Sequence, residues 1–169
     1  MLGVVLWLDG AHAGSSPAPR SSLSSIDNPY CDVATYLLPD FPEQAISVQD
    51  RNGRPVIVMS ARLLATDPAY AHFLMAHECC HHTLGHVAAY HRELGHLGPQ
   101  PFFYLAPQLK HMELDADCNA VRMLKIKKEP ETIEAARQMM LTFGNNPTGA
   151  YYPTGDERAD NIAKCAAED

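Results

Sequence analysis

Thr66-Asp67-Pro68-Ala69-Tyr70-Ala71-His72-Phe73-Leu74-Met75-Ala76-His77-Glu78-Cys79-Cys80-His81 is the stretch that decides how this chain folds, because it reads as one helix with its own start signal. Thr66 or Asp67 can accept hydrogen bonds from the first free amides, Pro68 suits the first helical position, and Ala, Leu, Phe and Met carry the helix forward. His77 and His81 stand four residues apart, so their imidazoles leave one face about one turn from each other, close enough to reach a single metal ion. Glu78 lies about 100° round the helix, where its carboxylate can meet a metal-activated water without having to ligate. Read alone, the same residues also fit an ordinary core helix with histidines on its surface, so the sequence around them has to decide.

Upstream, Ala45-Ile46-Ser47-Val48 and Val56-Ile57-Val58-Met59 flank Asp50-Arg51-Asn52-Gly53-Arg54. Two β-rich runs across an Asn-Gly pair predict a hairpin whose second strand runs straight into the metal helix. A strand in that place can offer an exposed edge to an extended peptide. Earlier still, Pro29, Pro39 and Pro42 surround Val33-Ala34-Thr35-Tyr36-Leu37-Leu38, which reads as a short helix.

Downstream, Gly85 is the expected helix stop. Residues 86–106 carry Gly95, Gly98, Pro99 and Pro101 and predict a long loop, with Phe102-Phe103-Tyr104 exposed. His82, His86, His91 and His96 read as solvated loop histidines, a second zinc site or a metal-loading role being the alternative. Pro107 then opens a second helical pattern over residues 108–127, with Leu109, Met112, Ala116, Ala120, Val121 and Leu124 as its apolar stripe. Glu113 and Asp117 lie on that side. Catalytic zinc takes three protein ligands and leaves a fourth position to water, so Glu113 completes a set of two His and one Glu. Asp117, one turn on, can accept the other ring N–H of His77. Without the first helix these two carboxylates would read as a solvated acidic face.

At 169 residues and 46% hydrophobic content, the chain fits one compact domain with a real core. A formal net charge of −7, with no basic run longer than Lys127-Lys128, argues against a nucleic-acid or anionic-membrane surface. Met1-Leu2-Gly3-Val4-Val5-Leu6-Trp7-Leu8, then Ala11-His12-Ala13, then a Gly/Ser/Pro-rich stretch, read residues 1–25 as a signal remnant and linker, leaving 26–169 as the folded domain. The first residues carry no basic charge, so a cytoplasmic chain with an apolar tail stands as the alternative to a periplasmic or secreted one. No transmembrane helix is expected, since no segment approaches the ~20 apolar residues that span a bilayer. The five cysteines suit an oxidising compartment and leave one thiol over. Cys79 and Cys80 cannot readily pair within one helix, so a bridge from one of them to Cys118 is expected, with Cys31 to Cys165 as a second. Five buried thiols are the other reading.

The last third has its own signals. Glu129-Pro130 caps a helix that runs to Phe143 and stops at Gly144, and Tyr152-Pro153-Thr154-Gly155-Asp156-Glu157-Arg158 opens a final one.

Taken together, His77-Glu78-Cys79-Cys80-His81 and Glu113-Leu114-Asp115-Ala116-Asp117 resemble the gluzincin metallopeptidases, in particular the branch that contains the CAAX prenyl proteases and heat-shock protease X. The similarity runs over residues 56–162. It implies an α+β, mainly helical zincin-like domain with a small sheet beside the motif helix. It implies Zn2+ on His77, His81 and Glu113, with Glu78 as general base and Asp117 in support. A further histidine of that branch falls at His86. Where the family has His-Pro followed by polar residues and an arginine, this chain has Tyr152, Pro153 and Arg158. A phenol can still donate to an oxyanion, so Tyr152 is the expected donor; Tyr151 is its rival, and a packing role for either ring is the alternative. The family's membrane helices are missing. The implied function is a zinc-dependent endopeptidase acting on a protein or peptide substrate, with a non-hydrolytic zinc-binding pseudo-peptidase or interaction module as the alternative. The sequence does not give the oligomeric state.

Overall fold

Residues 23–96 and 101–168 are described in a computed structural model; most of the expected signal segment, residues 1–22, lies outside them. Four strands come first: β1 (Ser24–Ile26), β2 (Ala34–Leu38), β3 (Ala45–Gln49) and β4 (Pro55–Ser60). The helices follow: α1 (Ala61–Thr66), α2 (Pro68–Thr83), α3 (His86–His96), α4 (Pro101–Lys127), α5 (Pro130–Phe143) and α6 (Gly155–Ala167). The fold is α+β and mostly helical, as expected.

The predicted hairpin forms from β3 and β4, antiparallel with Ser47 opposite Ile57. Gly53 takes a left-handed φ of 73° and its N–H meets the Asp50 carbonyl at 2.9 Å, a turn that favours glycine. The sheet order is β1-β2-β4-β3. This corrects two expectations. Within the Val33–Leu38 run, Ala34–Leu38 is strand β2, not a helix; Thr35 and Tyr36 suit a strand, and the run gains a full parallel ladder against β4. That ladder also covers β4 on its second side, so β4, which leads to the motif helix through α1 and not directly as expected, has no edge to offer, and β3 is the outer strand on that side among the described residues.

Asp67 caps α2, its side chain accepting from the Tyr70 amide at 3.2 Å, with Pro68 as the first helical residue. Gly85, at φ 73°, ends it. Between these signals α2 is buried almost continuously from Tyr70 to Cys80 and packs on β3, β4, α4 and α5. Ile57 and Met59 of β4, Phe73 and Ala76 of α2, Val121 and Leu124 of α4, Met140 of α5 and Ile162 of α6 make the core around it.

Residues 86–106 are not one long loop. The Val87-Ala88-Ala89 run forms helix α3, and Pro101, itself well placed as a first helical residue, starts α4 so that Pro107 lies inside the helix. Tyr104 is exposed; the Phe102 and Phe103 side chains lie outside what is described. No helix among the described residues is long and apolar enough to cross a membrane.

The bridges are Cys31–Cys79 and Cys118–Cys165, which leaves Cys80 as a buried free thiol. The expected pairings of Cys79 or Cys80 with Cys118, and of Cys31 with Cys165, are therefore both wrong, and helix geometry bears on the first. Cys79 points about 200° away from His77, whose face looks at α4, so it meets the segment before β2 and not Cys118. Cys118 in turn reaches Cys165 on α6. Each bridge closes a loop of similar length, 48 and 47 residues apart in sequence. On the chain-entropy account a loop of that size is worth about 4 kcal/mol. A Cys118→Ala/Cys165→Ala double variant is accordingly expected to lose stability of that order, read as a lower urea midpoint with a slope that is, if anything, steeper because the unfolded chain is freer to expand.

Candidate metal centre

Helices α2 and α4 bring His77, His81 and Glu113 together, with one ligating atom from each lying within 4.8 Å of the others. His77 Nε2 and His81 Nε2 are 3.0 Å apart. Glu113 Oε2 is 3.5 Å from His77 Nε2, and its Oε1 is 3.4 Å from His81 Nε2. His77 and Glu113 are buried, and His81 opens slightly to the surface.

One turn along α4, Asp117 Oδ1 lies 2.9 Å from His77 Nδ1. That contact lets Nδ1–H donate to the carboxylate and leaves the Nε2 lone pair facing the cluster. Asp117 is itself gripped by the Arg158 fork, Nη2 donating to Oδ1 at 2.6 Å and Nε to Oδ2 at 2.8 Å. Arg158 Nη1 reaches Glu113 Oε2 at 3.4 Å. Arg158 is placed by the start of α6, where Thr154 and Glu157 form a reciprocal capping box. Gly155 lets that start press on α5, since a Cβ there would run into the Met140 carbonyl.

Burial alone would push the Glu113 carboxyl up, but its hydrogen bonds to His77 and His81 hold it well below the ordinary range. Burial acts the same way on Asp117, and the Arg158 charge outweighs it. His77 would be pushed down by burial; hydrogen bonds to Asp117 and Glu113 instead raise it to about 10. With both imidazoles neutral, the carboxylates of Glu78, Glu113 and Asp117 face the one guanidinium of Arg158, all four buried. Two negative charges remain in excess inside the protein, and such an excess is costly unless offset. A proton on His77 offsets one. A divalent cation among His77, His81 and Glu113 offsets both, with the nitrogen and oxygen donors that zinc prefers. The residues present therefore fit the ion. The other grouping of this kind among the described residues, Cys118, Cys165 and Glu168, has both its sulfurs in a disulfide.

Glu78, next along α2, turns its carboxylate to the sheet, where Oε2 accepts from Ser47 Oγ of β3 at 2.6 Å. Tyr152 is half-buried; burial raises its pKa, and the negative charges of Glu113 and Glu78 raise it further. Gly149 leaves room for the ring, since a Cβ there would lie 2.7 Å from Tyr152 Cδ2. Tyr151 instead points to solvent from a left-handed backbone at φ 67°.

The reading of His82 and His86 as solvated loop histidines is corrected here, and Ser47 was not singled out by the sequence. His86 is not a solvated loop histidine: it opens α3, half-buried, with Nδ1 3.2 Å from His81 Nδ1. Burial and the neighbouring His81 lower its pKa to about 4, so it is a neutral partner for that ring. The left-handed Gly85 that turns the chain back was the signal for it. His82 likewise has a partner, the Val56 carbonyl at 3.1 Å. Ser47 carries no signal in the sequence, because its contact with Glu78 crosses from sheet to helix.

Comparison with known proteins found no matching family model, no matching curated protein and no matching solved structure.

Proposed function

We propose that the chain is a zinc-dependent endopeptidase of the gluzincin type, acting on protein or peptide substrates. The observation that carries the reading is the buried cluster of His77, His81 and Glu113, whose ligating atoms converge within 4.8 Å where the surrounding carboxylates outnumber Arg158. These three residues would hold the ion. Bound there, zinc supplies Lewis acidity that lowers the pKa of water and polarises a carbonyl. Glu78 takes the proton of the attacking water and returns it to the leaving amine. Asp117 fixes the tautomer of His77, and Arg158 keeps Asp117 ionised and in place. The outer edge of β3 offers main-chain partners to an extended substrate. Two disulfides suit the periplasm or the exterior as the site of action.

A zinc-binding protein without turnover is the second reading, favoured by one feature, the tyrosine at 152 where the resembled family has histidine. Metal analysis of the purified chain, with cleavage of casein and of a peptide library before and after chelation, tests both. About one zinc per chain, and cleavage lost to a chelator and regained with zinc, is the expected result. Failure to take up zinc at all would sink both readings; zinc without any cleavage would leave only the second.

The same reading takes Tyr152, half-buried and standing where the resembled family has its histidine, as the donor to the oxyanion that develops on the scissile carbonyl. Loss of one such donor typically lowers turnover about 10²–10³-fold, so Tyr152→Phe should lower kcat by that order with zinc content unchanged. A Phe variant that turns over like the wild type would assign the ring to packing.

A further inference from the structure

We infer that Ser47 is a positioning residue for Glu78, a role that rests on the peptidase reading above. Ser47 is the middle residue of β3, and its Oγ lies 2.6 Å from Glu78 Oε2 and 2.8 Å from the Glu78 carbonyl oxygen. A serine hydroxyl has one proton to give. The carboxylate oxygen is the nearer acceptor and the charged one, so the proton goes to Oε2.

Two consequences follow from this contact. Glu78 is buried and its carboxylate has two oxygens; with Oε2 tied to the sheet, the plane of the group is fixed and Oε1 becomes the oxygen that accepts and returns the proton. Without the tie, the carboxylate of a residue with three side-chain torsions samples several rotamers, and only some of them face the reaction centre. The second consequence concerns the substrate. Ser47 belongs to β3, which among the described residues pairs with no strand on its outer side, whereas β4 is paired on both sides. The residue that orients the base thus lies on the strand along which an extended peptide would register, and base and scissile bond are set from one rigid element. No charge change is involved: Ser47 acts by direction, through Glu78, and does not touch the substrate's reacting atoms.

The test compares Ser47→Thr with Ser47→Val in the full-length, zinc-loaded protein, two side chains of the same shape that differ in the hydroxyl, with Ser47→Ala as a third. Loss of a hydrogen bond to a charged group corresponds to about a tenfold to hundredfold change. Val and Ala should therefore lower kcat by that factor with KM and zinc content as in wild type, while Thr restores most of the rate. Equal kcat for wild type and Val would overturn the inference. So would Thr and Val being equally impaired, which would make the site sensitive to volume and not to the hydroxyl. An inactive but zinc-loaded wild type is a different failure, since it overturns the peptidase reading and takes the Ser47 role with it.

Discussion

Glu113→Ala is expected to strip the protein of zinc and, with it, of all hydrolysis. Four-ligand structural zinc sites bind with about 10–16 kcal/mol, roughly 3 kcal/mol for each ligand, so removing one of three should weaken zinc binding a hundredfold or more. Dialysis against a mild chelator would then empty the variant and leave the wild type loaded. Glu113 is buried in α4 among His77, His81 and Arg158, so a general loss of structure has to be separated from loss of a ligand. Two features allow it. The alanine variant loses the contacts that hold Glu113 ionised, so its zinc-free form should melt below the zinc-free wild type but still in one cooperative step, which shows that it is folded. Zinc should then raise the melting temperature of the wild type and leave that of the variant unchanged, because only binding to the native state adds stability. Full zinc content in a folded Glu113→Ala protein would remove Glu113 from the coordination sphere, and the gluzincin resemblance would go with it.

How much of this was legible beforehand depended on the range of the interactions. The start and stop of α2 rest on Asp67, Pro68 and Gly85, all local, and the sequence names them. The β3–β4 hairpin rests on Asn52-Gly53, equally local. Glu113 was findable because a two-histidine site lacks a third ligand and a buried stripe downstream carries a carboxylate. By contrast β2 becomes a strand through its parallel pairing with β4, twenty residues away in the chain, and nothing within Ala34–Leu38 announces that partner. The bridges went wrong for a related reason. Pairing cysteines by proximity to the motif ignores which face of the helix each one occupies, and Cys79 meets Cys31 while Cys118 reaches Cys165 on α6. Gly95, Gly98 and Pro99 suggested a loop far longer than the break between α3 and α4, because helix-forming residues on either side outweigh isolated breakers. Ser47 and His86 complete the set. Both act across element boundaries on groups the motif does supply, so their roles become visible only once sheet, α2 and α3 are placed together.

Glu78→Gln is the substitution that separates catalysis from metal binding most cleanly. Glutamine keeps the length and shape of the side chain and should stay folded. Its carbonyl oxygen can accept from Ser47 Oγ as Oε2 does now, which turns the amide NH2 towards the reaction centre and puts a donor where a base is required. General-base assistance is worth about 10²–10⁴ in rate, so kcat should fall by that factor, with KM little changed. Zinc content should stay at the wild-type level, since Glu78 is not among the three converging ligands. The zinc-free form should become no less stable, because the substitution removes the buried negative charge that stays in excess once His77 carries a proton. Unchanged cleavage by Glu78→Gln would mean that the hydrolysis comes from another group or another protein in the preparation. Loss of zinc together with loss of cleavage would mean that Glu78 ligates the ion itself, and the division of labour between His77, His81 and Glu113 on one side and Glu78 on the other would have to be redrawn.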